Sequence, residues 1–506
     1  FITDGERLVS LTPAPFFDSD VQYSTKFEAA RAANGMVYRK LSAGISTMVC
    51  PDDTAGIRRV RLKNMGAEPF ETTLICYLEP ALDTAQAFSA HPAFSKLFLR
   101  VDPQPDGALL SRFANDGSES YAYVACDGAL TSVCNARERA LGRDGYRGLL
   151  RPAGSEGSGA PDSCVALRIP VSLNPGAEQV VTVSLAYGRS EEAARAAARR
   201  ALNLNRASAA HRITELLSVL DMTPGGALEA FRMYRDVCFV TPERRHAAEY
   251  IARNRKSREV LWKFGISGDL PVIAVHAAEE MGEREERLLE RHMFLYLNGA
   301  YADLLLFIND GGDYMRRCRS AALDILNEWG GESLVGTRGG VHLIDESALE
   351  EGEYDALVAF SGVYYDLRQA PQERKPAEPY PLKILPQAVE PVSYSAEPEA
   401  AYTEGGVEIQ GLPAVAWSHP LANRCFGYLA TDAGAGYLWY YNARENKLNE
   451  WVNDPLAVTG PETLEVLVNG EAHSLFARDA KSRVRYQPGA AVWERELPGM
   501  KTRLTA

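Results

Sequence analysis

The chain has 506 residues, 46% of them hydrophobic and 24% charged, with a formal net charge of −13. That length allows roughly three domains with sizeable cores. The acidic balance argues against a nucleic-acid surface, which needs a basic face, and against an anionic membrane, and leaves a neutral ligand as the best fit. The eight cysteines (Cys50, Cys76, Cys126, Cys134, Cys164, Cys238, Cys318 and Cys425) are dispersed and form no CxxC pair. A zinc cluster or thioredoxin-like motif is therefore not expected, and free, buried, structural thiols in a reducing compartment are. No apolar run approaches the ~18 residues of a membrane span, and no signal peptide is recognisable. These features predict a cytoplasmic protein with no membrane contact. The opening on Phe1 suggests a piece of a longer polypeptide.

Residues 1–188 read as a β-sandwich. Ile57 to Lys63 alternates apolar and polar, as a half-exposed antiparallel strand does. Strands are also expected over 70–78, 121–125 and 179–185, with turn signals between them. Residues 189–332 read as a helical domain. Ser190 is an N-cap with Glu191 and Glu192 in the first turn, Thr241-Pro242 is a second helix start, and Asp269 and Pro271 open a helix running through Val272–Val275 into Glu279-Glu280. The acids from Glu279 to Glu286, mixed with Arg284 and Arg287, read as a solvated helix face; a glycosidase carboxylate pair is the minor alternative. Residues 333–375 read as a small α/β appendage, and 376–400, dense in proline, as a semi-rigid linker. Residues 401–506 return to β, with Asn469-Gly470 marking a hairpin.

Within that last segment, Gly436-Tyr-Leu-Trp-Tyr-Tyr-Asn-Ala-Arg-Glu-Asn-Lys-Leu-Asn-Glu-Trp-Val-Asn-Asp-Pro455 matches no ordinary core strand. Large aromatics are interleaved with amides, acids and an arginine. Flat apolar faces beside forked hydrogen-bonding groups suit a sugar, which has apolar faces and many hydroxyls. An aromatic-rich strand followed by a polar turn fits the same residues.

This stretch resembles a signature of the family 94 glycoside phosphorylases, in the branch of the cyclic β-1,2-glucan synthases and 1,2-β-oligoglucan phosphorylases. Arg444-Glu445-Asn446 and Trp451-x-Asn453-Asp454-Pro455 are intact, whereas Ala443 stands for the usual Ser and Asn449-Glu450 for Thr-Pro. Leu261 to Pro271 and His91 to Phe98 are similar to the same branch. His91 reads as a structural loop histidine.

The resemblance implies an α+β multidomain fold: an antiparallel, galactose-mutarotase-like super-sandwich, a helical region, then a second β-sandwich. It implies part of an inverting glycoside phosphorylase acting on β-1,2-linked gluco-oligosaccharides, with inorganic phosphate as co-substrate and no other cofactor or metal. A phosphorylase-like region of a cyclic β-1,2-glucan synthase and a non-catalytic carbohydrate-binding protein are the alternatives. Tyr437, Trp439, Arg444, Asn446, Trp451, Asn453 and Asp454 then line a glucosyl subsite, with Arg444 and Asp454 on the hydroxyls and Trp451 beside the ring. The family's general acid lies in a barrel downstream, so no catalytic residue is nominated in this fragment. A gluco-oligosaccharide is the expected partner, nucleic acid is not, and a homodimer is an expectation carried by the family.

Overall fold

A computed structural model describes the chain except residues 4, 29, 115, 156–159, 240–246, 312–314, 370–398, 452 and 461. The expected helix start at Thr241-Pro242 and almost all of the 376–400 linker lie outside the described residues. The fold is α+β and multidomain. Its residues fall into two compact units: Phe1–Lys26, Ala32–Leu204 and Lys383–Ala506 in the first, Phe27–Arg31 and Asn205–Leu382 in the second.

In the first unit two antiparallel sheets hold the N-terminal segment. One has five strands, with Ser163–Leu173 pairing Phe70–Leu78 over nine residues. The other has eight, centred on Ala55–Asn64 and Glu178–Gly188. The alternation read in the sequence places Ile57, Val60 and Leu62 inside and Arg61 and Lys63 outside. Leu62, Leu74, Val101, Leu110 and Leu167 fill the space between the sheets, each such side chain contributing about 1.5–3 kcal/mol on burial. The helix Glu191–Ala201 starts as expected, with Ser190 Oγ accepting from the Ala193 N–H at 3.2 Å.

The C-terminal segment adds a five-stranded sheet from Glu399–Thr403 to Met500–Thr505 and a three-stranded sheet of Ser418–Ala422, Phe426–Thr431 and Tyr437–Tyr440. Trp493, Phe476, Ile409 and Val484 form its core. The expected Asn469-Gly470 hairpin is present, with both residues at positive φ between Glu465–Val468 and Glu471–Ser474. These sheets are not a domain apart. Leu456 is buried with Leu8, Ile75, Cys134 and Leu149 of the N-terminal segment, so both ends of the chain share one unit.

The second unit corrects the sequence reading. Residues 189–332 do contain helices, but Val272–His276, expected as helix, is a fully buried strand, and so is Asp303–Ile308. Asp269 caps no helix. The appendage expected over 333–375 supplies the strands Val341–Asp345 and Val363–Asp366 to the same parallel sheet, in the order 341–345, 303–308, 272–276, 363–366. Ile273, Val275, Leu304 and Leu306 pack with Leu288 and Phe294 of helix Glu283–Leu297 on one face, and Ala274, Leu305 and Phe307 with Leu357 and Val358 of helix Glu353–Ala359 on the other. Strands buried on both faces are continuous apolar runs, which carry no period to tell them from buried helix.

Candidate functional site

The aromatic stretch folds as a strand and a hairpin tip. Tyr437–Tyr440 pairs with Phe426–Thr431, and the chain then turns back so that Leu448 N–H donates to Leu438 O at 2.9 Å and Tyr440 N–H to Asn446 O at 3.0 Å. Asn442 shapes the tip: its Oδ1 accepts from the N–H groups of Arg444 (2.8 Å) and Glu445 (3.0 Å), the local competition that favours asparagine in turns. Asn449 Oδ1 accepts from Leu438 N–H at 2.8 Å. The position is polar for a structural reason. Tyr441 sits at φ 54°, uncommon for an aromatic residue, with its N–H on Cys425 O at 2.8 Å.

Three of the expected residues meet. Tyr437 stacks on Trp451 with ring centroids 4.4 Å apart and planes at 16°, and lies 5.2 Å from Trp439. Tyr437 is buried and its hydroxyl donates to Ala443 O at 3.2 Å, while both tryptophans remain half-buried. Trp439 lies across the neighbouring strand because residue 427 is glycine: a Cβ there would come within 2.0 Å of the indole. Arg444 and Asn446 are exposed on the tip, with Arg444 Nε 3.3 Å from Glu445. Asn453 is half-buried at φ 53°.

Asp454 sits elsewhere in the electrostatics. Both its oxygens accept from Arg137, at 2.7 and 2.9 Å, and Oδ1 also accepts from Leu456 N–H at 3.0 Å. Arg137 also donates to Glu79 (2.9 Å) and Asp162 (3.1 Å), and Lys96 Nζ sits 2.8 Å from Asp162. Burial works against ionisation of Asp454, but Arg137 outweighs it and holds the carboxyl below its ordinary 3.8. Lys96 comes from the second family-like stretch, so the network joins that stretch to the signature. His91 there is an N-cap, its Nδ1 accepting from Phe94 N–H at 3.1 Å. Arg137, Lys96, Glu79 and Asp162 were not legible as site residues, because partners such as Arg137 and Asp454 are 317 positions apart.

The third family-like stretch lies in the second unit. Gly265 and Gly268 take positive φ in a tight bend that leads into a strand. Glu279 and Glu280 lie ahead of helix Glu283–Leu297, which carries Glu283, Glu285 and Glu286 in its first turn. Glu283 pairs with Arg287, and Glu285 is buried, accepting from Ala278 N–H and Gly282 N–H at 3.0 Å each, a helix-start role rather than half of a carboxylate pair. None of the eight cysteines forms a disulfide, and Cys238 is exposed where burial is expected. Among the described residues no three His, Cys, Asp or Glu side chains form a metal-binding group, and no helix is long and apolar enough to cross a membrane.

The antiparallel sheets of the N-terminal segment and the C-terminal strands that share their core form a super-sandwich, the architecture of a carbohydrate-active family. The chain belongs to the glycosyl hydrolase 94 supersandwich-domain family, whose model matches residues 1–204 and 409–506. It is also 24% identical, over 95% of its length, to the cyclic β-(1,2)-glucan synthase NdvB of Rhizobium meliloti (strain 1021). The chain spans 18% of that relative's length. Among solved structures, a bacterial glucoamylase complexed with acarbose overlays with a TM-score of 0.26 at 10% identity, covering 40% of this chain and 28% of that one. A putative kojibiose phosphorylase from the human microbiome gives 0.24 at 9%, covering 38% and 23%.

Proposed function

We propose that this chain is the sugar-holding part of an enzyme acting on β-1,2-linked gluco-oligosaccharides, and that the Tyr437–Pro455 hairpin lines a glucosyl subsite. The observation that carries the reading is the Tyr437–Trp451 stack beside Trp439, with Arg444 and Asn446 exposed on the same hairpin. Aromatic faces offer apolar contact to a pyranose ring, and a charged guanidinium gives hydroxyls stronger bonds than a neutral donor. The described residues then bind and orient sugar; proton transfer to the glycosidic oxygen is not assigned to any of them.

Two whole-protein activities fit this role. One is phosphorolysis to glucose 1-phosphate, with phosphate as the nucleophile and a single carboxylic acid as proton donor. The other is the phosphorylase-like region of a glucan synthase, favoured by the 24% identity that runs over 95% of the chain, inserted unit included. Calorimetric titration with linear β-1,2- and β-1,4-gluco-oligosaccharides tests the reading. Binding of the β-1,2 series, weakened in Arg444→Ala, supports it; no binding of either series removes it.

A further inference from the structure

The signature hairpin is bracketed by two acidic residues, and each is gripped by an arginine from one short segment. The helix Arg137–Ala140 and the 3-10 turns of Gly142–Leu150 follow one another directly. Arg137 reaches Asp454 with two parallel N–H bonds, at 2.7 and 2.9 Å. Arg143 reaches Asp432 at 3.0 and 3.3 Å, with both side chains fully buried. Asp432 also accepts from Trp417 N–H (3.2 Å) and Ala433 N–H (2.7 Å), which fixes the entry to the hairpin. Asp454 accepts from Leu456 N–H, which fixes its exit.

We propose that Arg137 and Arg143 form a two-point clamp that positions the sugar-binding hairpin, and that Asp454 is a strut of this clamp and not a sugar ligand. The inference rests on the hairpin being the sugar subsite. The chemistry favours the strut role. Two guanidinium N–H groups and one backbone N–H already occupy the Asp454 carboxylate, and a bidentate arginine pair fixes orientation as well as distance. One acceptor site is left, on Oδ2, for any sugar hydroxyl, and the negative charge behind it is already compensated by the guanidinium. Arg137 is itself held, by Glu79 at 2.9 Å and Asp162 at 3.1 Å, so its guanidinium plane is set by residues outside the hairpin. What remains turned outward is the tip with Arg444 and Asn446. The clamp therefore divides labour within the signature: its end fixes the Trp451 stack, and its tip meets the ligand.

The test uses the full chain with Arg137→Gln and with Asp454→Asn. Hydrogen–deuterium exchange is followed at the hairpin amides 437–448 and at the strand Glu178–Gly188 as an internal control. Affinity for a linear β-1,2-gluco-oligosaccharide is followed by calorimetry. A clamp predicts exchange at least tenfold faster at 437–448 in both single variants and unchanged in 178–188. It predicts a comparable drop in affinity in both, because each variant removes the same strut. An unchanged hairpin exchange rate in Arg137→Gln overturns the clamp. So does an Asp454→Asn variant that keeps slow exchange and loses sugar affinity while Arg137→Gln keeps its affinity, because the carboxylate at 454 is then itself a ligand. Wild-type protein that binds no oligosaccharide removes the functional reading, while the exchange rates still decide for or against the clamp.

Discussion

Arg143 and Asp432 form an ion pair whose two side chains are both fully buried. Burial pushes the Asp432 carboxyl up from its ordinary 3.8, and the charge of Arg143 offsets only part of that. Arg143 Nε and Nη1 have no hydrogen-bond partner among the described residues. The pair holds position at a net electrostatic disadvantage, the behaviour expected of buried ion pairs. Arg143→Ala leaves Asp432 buried without its counter-charge and should cost about 3–5 kcal/mol of stability, measured by chemical denaturation. Replacing both partners, Arg143→Met with Asp432→Asn, should recover part of that loss, because the amide carries no charge and its oxygen keeps one of the two backbone hydrogen bonds. A single variant as stable as the wild type contradicts this account of the pair.

At the scale of elements, the hairpin depends on a glycine in its neighbour. Gly427 lies opposite Trp439 in the register of the two strands, and a Cβ there would meet the indole at 2.0 Å. Gly427→Val should displace Trp439, cost about 1–3 kcal/mol by overpacking, and shift the tryptophan fluorescence. An unshifted spectrum with an unchanged melting temperature speaks against the packing described. Elements of this kind were legible to different degrees. Alternation fixes which face of Ala55–Asn64 is inside, and Asn469-Gly470 fixes a turn, because both signals are local. Val272–His276 was misread as helix because a buried run has no period. Asn442 and Asn449 add to the amide-rich composition of the stretch, yet their side chains bond the hairpin's own backbone. Arg137 and Lys96 were invisible because only folding brings them to Asp454.

At the scale of the whole molecule, the family-matched sandwich is interrupted in sequence by a doubly wound α/β unit with its own core. Separate cores predict two calorimetric unfolding transitions, and buried histidines mark one of them. His292 is buried in the second unit, its Nε2 donating to Ala302 O at 2.8 Å, and burial holds its pKa below the ordinary 6.5. His276 in the same unit carries the Glu346 carboxylate at 2.5 Å, so the buried His292 sets the sign. A depressed histidine pKa means that the unfolded chain takes up a proton the folded chain refuses. The stability so gained is therefore full above pH 6.5 and falls as pH drops below it. Between pH 7 and 5 the transition of the second unit should move to lower temperature by several degrees more than that of the sandwich. Parallel shifts of both transitions contradict the assignment.

The central claim is that the Tyr437–Pro455 hairpin holds sugar. Its most direct test is calorimetric titration of a linear β-1,2-gluco-oligosaccharide into wild-type protein and into Arg444→Ala, a change at an exposed tip. The account predicts saturable binding by the wild type and at least a tenfold weaker affinity in the variant at an unchanged melting temperature. Equal affinity in the two proteins, or none in either, contradicts it.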